Sequence, residues 1–310
     1  MKEKTDQEVI NHLKHNVSGV ERVSRLAGDA STRNYFRLFT GDQSIIAMVY
    51  PENNSEEINR IRALTQSYTE AGLNVPGIVD QIGDNILLQE DIGDISLQNY
   101  LSDASEEKIL EIKNDIQIVL EQLKNIPPGK TGFKMDLDKM RFEIDFFIYN
   151  FVNRFIPSWK SGKELREEIL QKLEKISTET IFAHRDFHSR NIFIKGNSLY
   201  LIDFQDSLLA PKYYDAVSFV FDSYLESGAR EIFFTIFNDK SDLELEQIYL
   251  TAYQRNIKAL GTFGFQYFAG NRKFFHSIKP TINNLRNNIH FTETSLLGTF
   301  FSLLEKEYQI

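Results

Sequence analysis

Residues 182–194 read Phe-Ala-His-Arg-Asp-Phe-His-Ser-Arg-Asn-Ile-Phe-Ile, and residues 201–204 read Leu-Ile-Asp-Phe. The first stretch contains His184-Arg185-Asp186 and, after four intervening residues, Asn191. That is the H-R-D-x-x-x-x-N spacing in which an aspartate accepts the proton of an attacking hydroxyl and an asparagine holds magnesium. Asp203 supplies a second candidate metal ligand. Phosphoryl transfer asks for little covalent help: the acceptor must be positioned, metal ions held against phosphate oxygens, and developing charge neutralised. One base, Asp186, and two magnesium ligands, Asn191 and Asp203, meet that need. The same residue types also fit a blander reading, with the two aspartates as solvated turn residues and His184 as a core histidine.

The elements around these residues decide between the two. Asn191–Lys195 and Leu199–Ile202 flank Gly196-Asn197, which is a hairpin signal, and the turn would return Asp203 toward Asn191. Upstream, the pattern predicts short strands at Val23–Leu26, Asn34–Phe39 and Ser44–Tyr50, and two more near Gly77–Ile82 and Asn85–Gln89. Between the third and fourth strands, Ile58, Ile61, Leu64 and Tyr68 recur at helical spacing, with Gly72 where the cap would fall. Beyond Glu90-Asp91-Ile92-Gly93-Asp94 helical periodicity dominates, over Ser105–Ile126, Leu137–Phe155, Glu164–Ile176 and much of the chain after Asp215. The predicted class is α+β in a two-lobed, protein-kinase-like layout. Residues 1–91 form a small antiparallel nucleotide-binding lobe with one main helix. Residues 92–310 form a larger, mostly helical lobe carrying the catalytic loop and the substrate site.

Composition narrows the function further. Of 310 residues 42% are hydrophobic and 25% charged, an ordinary globular balance, and no cysteine is present. Disulfides, thiolate metal sites and cysteine nucleophiles are thereby excluded, which suits a reducing, cytoplasmic setting. The net charge of −9 disfavours a broad nucleic-acid interface. Residues 1–16 lack the apolar core of a signal peptide, and the apolar run at Phe146–Phe155 is interrupted by Asn150, Asn153 and Arg154, so neither secretion nor membrane insertion is expected. A small-molecule substrate is the expected partner, and no obligate protein partner is evident.

With these blocks in view, the chain resembles the aminoglycoside phosphotransferase and choline kinase superfamily. Within it the likeness is to the anomeric N-acetylmuramate and N-acetylglucosamine kinases of bacterial cell-wall recycling. It rests on Leu26-Ala27-Gly28-Asp29-Ala30-Ser31-Thr32-Arg33-Asn34-Tyr35-Phe36-Arg37, on residues 184–191, on Asp203-Phe204-Gln205-Asp206, on Ala210-Pro211 with Tyr214-Asp215, and on Gln254-Arg255-Asn256-Ile257-Lys258-Ala259-Leu260-Gly261-Thr262-Phe263. The resemblance implies ATP or GTP with Mg2+ as cofactors. It implies that Gly28, Asp29, Ala30, Ser31 and Thr32 cover the phosphates through backbone N–H groups, and that Gln89, Glu90 and Ile92 border the purine. Asp215, at a helix start, would brace the catalytic loop.

One departure stands out. Kinase cores place a lysine in the third strand to hold the α- and β-phosphates, yet Ile45-Ile46-Ala47-Met48-Val49-Tyr50 contains none, with Met48 near the expected position. Arg33 or Arg37 could supply the charge; both also fit as solvated strand residues.

For the acceptor, His188, Arg190 and Asp206 lie beside the predicted chemistry, and a helix over Leu243–Leu260 brings Gln254, Arg255 and Lys258. Amides and carboxylates suit vicinal hydroxyls, and Trp159 or Tyr214 could stack on a sugar ring. The alternative places Gln254, Arg255 and Lys258 on an exposed helical face. The function expected is ATP- and Mg-dependent phosphorylation of an amino sugar at its anomeric hydroxyl. Other acceptors (an aminoglycoside, a choline-like alcohol, homoserine) and an inactive nucleotide-binding module are the competing readings.

Overall fold

The computed structural model describes residues 5–26 and 33–309. In chain order the elements are α1 (Asp6–Asn16), β1 (Arg22–Leu26), β2 (Asn34–Thr40), β3 (Gln43–Val49), α2 (Ser55–Glu70), β4 (Ile78–Ile82), β5 (Ile86–Glu90), α3 (Leu97–Leu101), α4 (Glu106–Lys124) and α5 (Leu137–Phe147). A π turn (Ile148–Val152) then leads into α6 (Asn153–Phe155), followed by α7 (Gly162–Leu173), β6 (Thr180–Ala183), β7 (Ile192–Lys195), β8 (Ser198–Leu201) and β9 (Leu208–Pro211). The chain closes with α8 (Tyr214–Val220), α9 (Ser227–Phe234), α10 (Asp242–Phe268), α11 (Ile278–Arg286) and α12 (Leu296–Tyr308). By compactness these elements fall into two units: Met1–Ile95 with Phe193–Gln205, and Ser96–Ile192 with Asp206–Ile310.

The first unit is built on a five-stranded antiparallel sheet in the order β1-β2-β3-β5-β4. Phe36 and Leu38 of β2, Ala47 and Val49 of β3, and Ile86 and Leu88 of β5 alternate onto one face, the period of two that a half-buried strand requires. Val9 and Leu13 of α1 join that face, and Leu13 is fully buried. Burying such a leucine is worth about 1.5–3 kcal/mol relative to exposure. Helix α1 starts at a capping box: the Thr5 hydroxyl accepts from Glu8 N–H, and the Glu8 carboxylate accepts from Thr5 N–H. Strands β7 and β8 pair as a two-stranded sheet. Their turn uses Gly196 at φ 61, a left-handed conformation costly for any residue with a Cβ. The hairpin is tied to this unit by Leu201 N–H donating to the Asn74 carbonyl and Ile194 N–H to that of Ile95.

In the second unit α10 is the central helix, with Leu250, Tyr253, Ile257 and Leu260 fully buried among side chains from α5, the π turn, α7, α11 and α12. The helix predicted across 137–155 is interrupted by the π turn, because α10 approaches there. The Cα of Gly264 lies so close to the turn that an added Cβ would fall 2.5 Å from the Asn150 carbonyl oxygen. Strand β6 pairs antiparallel with β9, Thr180 lying opposite Pro211 and Ala183 opposite Leu208.

Candidate active site

In the second unit, β6 delivers the chain into the loop that begins at His184, which is fully buried. Arg185 adopts φ 77, a left-handed backbone that costs a non-glycine residue about 1–3 kcal/mol. Asp215, in the first turn of α8, accepts from the backbone N–H of His184 at 2.6 Å and of Arg185 at 3.0 Å, and so holds the turn in place. Burial pushes the Asp215 carboxyl up to about 7, with the two backbone amides pulling the other way.

That turn presents Asp186. Its Oδ1 lies 2.9 Å from Nζ of Lys258 and 3.9 Å from Nη2 of Arg255, both on α10 and both with side chains only 13% exposed. Burial alone would raise the Asp186 carboxyl, but Lys258, Arg185 and Arg255, together with the Lys258 hydrogen bond, hold it far below the usual carboxylate range. Lys258 in turn is drawn below its ordinary value by burial, which the Asp186 charge opposes and neighbouring Arg255 and Arg185 reinforce. Arg255 is fixed from behind by its Nε donating to Ser218 Oγ at 3.2 Å.

Arg185 reaches Glu143 at 4.0 Å and Asp206 at 3.8 Å. Glu143 is buried on α5, and the amide of Gln254, only 1% exposed, donates to it at 2.6 Å. Gln254 therefore braces Glu143 from the interior, whereas Arg255 and Lys258 face the Asp186 carboxylate; the exposed-face alternative for this helix does not hold. Trp159 is partly buried, packed against the core and edge-on to Phe300, whereas Tyr214, 1% exposed, belongs to the core and offers no stacking surface.

Asn191 donates from Nδ2 to the Asp186 carbonyl at 3.0 Å, tying the loop across itself and leaving the amide oxygen as the end suited to a cation. His188 sits 3.4 Å from the same nitrogen and packs edge-on to Tyr224, while the Arg190 guanidinium lies over the Tyr224 ring at 4.6 Å. Burial lowers the His188 pKa, which favours the neutral imidazole. Beneath them Asp222 accepts from Ser189 N–H at 2.9 Å and from Ser189 Oγ at 2.6 Å.

Glu143, Asp222 and Tyr224 escaped the sequence reading. For Glu143 a signal exists: the carboxylate occupies the stripe of Met140, Ile144 and Phe147, where a core residue belongs. Asp222 and Tyr224 lie in an irregular stretch after α8 and carry no periodic signal.

In the first unit Asp203 follows β8 with φ 64, a second left-handed non-glycine residue at a predicted site. Its Oδ1 accepts from Gln205 Nε2 at 2.8 Å and from Arg33 Nη2 at 3.2 Å, and the side chain remains 41% exposed. Gln89 is buried in β5 and Ile92 just beyond it. Glu90 donates its N–H to the Gly77 carbonyl and receives Lys195 Nζ at 2.6 Å. Gly28, Asp29, Ala30, Ser31 and Thr32 lie outside the described residues. No cluster of three or more His, Cys, Asp or Glu side chains able to hold a metal occurs among the described residues. Magnesium in phosphotransferases does not need one, since one or two protein oxygens plus phosphates and water complete its shell. The Asn191 amide oxygen and the exposed Asp203 carboxylate are donors of the right chemistry.

Residues 22–254 match the phosphotransferase enzyme family, APH. The chain belongs to that family. Its curated relatives include an N-acetylmuramate/N-acetylglucosamine kinase of Pseudomonas aeruginosa, 26% identical over 211 residues that make up 64% of this chain and 59% of that protein. The match thus spans about three-fifths of the relative's length. Among solved structures the fold is that of the ADP-bound aminoglycoside phosphotransferase APH(2'')-Ib, with a TM-score of 0.63, 18% identity and coverage of 90% of this chain and 97% of that one. It is also that of choline kinase LicA from Streptococcus pneumoniae, with a TM-score of 0.64, 16% identity and coverage of 90% and 98%. The α+β, protein-kinase-like architecture expected from the sequence is therefore the observed one. No helix among the described residues is long and apolar enough to cross a membrane.

Proposed function

We propose that this family member is an ATP- or GTP-dependent, magnesium-dependent small-molecule kinase whose acceptor is an amino sugar of the N-acetylmuramate/N-acetylglucosamine class, phosphorylated at the anomeric hydroxyl. Residues 1–91 serve as the nucleotide lobe and residues 92–310 as the acceptor lobe. The observation that carries the reading is the charge around the base: Asp186 is surrounded by Lys258, Arg185 and Arg255. A polycationic aminoglycoside or a quaternary ammonium alcohol would be repelled by three such groups. A neutral sugar finds hydrogen-bond donors there, and an anionic one finds charge-assisted partners. The likeness to an N-acetylmuramate/N-acetylglucosamine kinase supports the same acceptor class.

In this reading Asp186 orients the acceptor hydroxyl. Held so strongly ionised, it is too weak a base to remove the proton before attack. It receives that proton as the oxygen–phosphorus bond forms and the bond from the γ-phosphorus to the bridging oxygen breaks, releasing the nucleoside diphosphate. A loose transition state places little demand on the base, which suits such a carboxylate. Asn191 and Asp203 would hold magnesium, which would supply neutralisation of the phosphate charge. Gly28–Thr32 cover the phosphates, while Gln89, Glu90 and Ile92 border the purine. His188, Arg190, Asp206 and Arg255 contact the acceptor, and Gln254 supports them through Glu143.

The test is magnesium-dependent ADP release with N-acetylmuramate, N-acetylglucosamine, other hexoses, kanamycin, choline and homoserine. Preference for an N-acetylated sugar, with the phosphate at the anomeric carbon, is the expected result. Preference for kanamycin or choline would overturn the acceptor class, and no turnover with any of them would favour an inactive nucleotide-binding module.

A further inference from the structure

We propose that Arg33 binds the nucleotide's α- and β-phosphates in this protein, with Glu57 as its positioning residue, in place of the lysine that β3 lacks. The inference rests on the phosphotransfer reading above and adds a residue assignment to it. Strand β3 reads Gln-Ser-Ile-Ile-Ala-Met-Val, so no cation issues from it. The acidic partner that such a cation requires is nonetheless present: Glu57 stands in the first turn of α2. Its Oε1 accepts from Arg33 Nη1 at 3.4 Å and from the Tyr50 hydroxyl at 3.1 Å, and its Oε2 from Asn54 Nδ2 at 3.1 Å. A carboxylate fastened at three points is a fixed support for a guanidinium.

The strand register explains how a residue from β2 can serve. Tyr35 of β2 lies directly opposite Met48 of β3, and Asn34 opposite Val49. Cross-strand partners share a face, as do residues two apart on one strand. Arg33, two residues before Tyr35, is therefore the diagonal neighbour of Met48 on the same face. A long guanidinium side chain from there covers the ground a lysine at position 48 would cover. Its second amino group, Nη2, reaches Asp203 Oδ1 at 3.2 Å, so one side chain links the helix carboxylate to the candidate metal ligand. Only 11% of the Arg33 side chain is exposed. A planar fork of this kind is matched to two phosphate oxygens at once.

The other arginine considered for the role is committed elsewhere. Arg37 makes paired bonds of 2.8 Å to both carboxylate oxygens of Asp94 and a further one of 3.1 Å to Asp91, which itself receives the Ser44 hydroxyl and Gly93 N–H. It anchors the segment after β5.

Titration calorimetry with MgADP, alongside steady-state kinetics, tests the assignment. Arg33→Ala and the polar but uncharged Arg33→Gln are expected to weaken MgADP binding and raise the KM for ATP by about 10- to 100-fold, leaving the acceptor KM within about twofold. Arg33→Lys should recover part of the loss, and adding Met48→Lys to Arg33→Ala should do the same. Glu57→Gln should give a smaller rise in the ATP KM. Arg33→Gln binding MgADP as tightly as the parent protein overturns the proposal while leaving the kinase reading intact. A parent protein that neither binds MgADP nor turns over any acceptor overturns both.

Discussion

The ammonium of Lys258 lies 2.9 Å from Oδ1 of Asp186, although 72 residues separate the two in sequence. One comes from the central helix α10 and the other from a loop whose backbone turns through a left-handed arginine. The pairing fixes the protonation state of the proposed base. It also explains why a lysine and an arginine can be buried side by side on α10, since the Asp186 charge opposes the desolvation of both.

Lys258→Met should therefore change a pH profile as well as a rate. Burial raises the Asp186 pKa and the cations lower it. Removing the nearest cation lets burial act, so an acid limb that lies below pH 4 in the parent protein should rise into the measured range in kcat/KM of the variant. The fold should lose about 3 kcal/mol, near the lower end for a broken buried pair because Arg185 and Arg255 remain. Kinetics from pH 4 to 9 check this; an acid limb that stays where it was would mean that Lys258 does not control Asp186.

Asp186→Asn keeps the shape of the side chain and removes its capacity to take a proton. Turnover should fall by about 10²–10⁴-fold while MgADP affinity stays within about threefold. Near-normal turnover would remove Asp186 from the chemistry. Loss of nucleotide affinity together with turnover would point instead to a role at the phosphates.

Much of this was legible because local chemistry wrote it into the chain. The turn at Gly196 needs left-handed backbone, and glycine marks it. The β2 and β3 patterns follow from alternation onto one buried face. Readings that depended on which way a helical residue points fared differently. Gln254, Arg255 and Lys258 are consecutive enough to suggest one exposed face, yet α10 is surrounded, so Gln254 meets a buried carboxylate and the other two meet Asp186. Tyr214 looked available for a sugar, but aromatic side chains most often fill a core, as it does here. The π turn at Ile148–Val152 was illegible because its cause lies more than a hundred residues away, at Gly264.

Asp215 gives a stability prediction whose sign differs from that of most carboxylates. With its pKa raised to about 7 by burial, the folded state keeps a proton that the unfolded chain releases near pH 4. Between those values the folded protein binds more protons than the unfolded one, so the Asp215 contribution is greatest below pH 4 and is lost as the pH rises toward 7. The loss runs at about 1.4 kcal/mol per pH unit in the middle of the window. Urea denaturation of the parent protein and of Asp215→Asn at pH 4.5, 5.5, 6.5 and 7.5 isolates the term. The difference between the two should change steadily against the parent as pH rises, and a constant difference would show that the two backbone amides keep Asp215 ionised throughout.

The contact between α10 and the π turn is steric, and alanine at position 264 should expose it. A Cβ there would sit 2.5 Å from the Asn150 carbonyl oxygen and 3.1 Å from Phe151 Cα, both backbone atoms that cannot swing aside. Helix propensity alone would favour alanine over glycine by about 1 kcal/mol, so the sign of the effect separates propensity from packing. Gly264→Ala should lose about 1–3 kcal/mol, as overpacked cores do. Gly228→Ala is the matched control: it also lies in a helix, α9, but an added Cβ meets nothing within 4 Å, and it should be neutral or gain about 0.5–1 kcal/mol. Thermal unfolding of the two variants decides the matter, and a Gly264→Ala protein as stable as its parent would mean that the turn yields to α10 rather than being set by it.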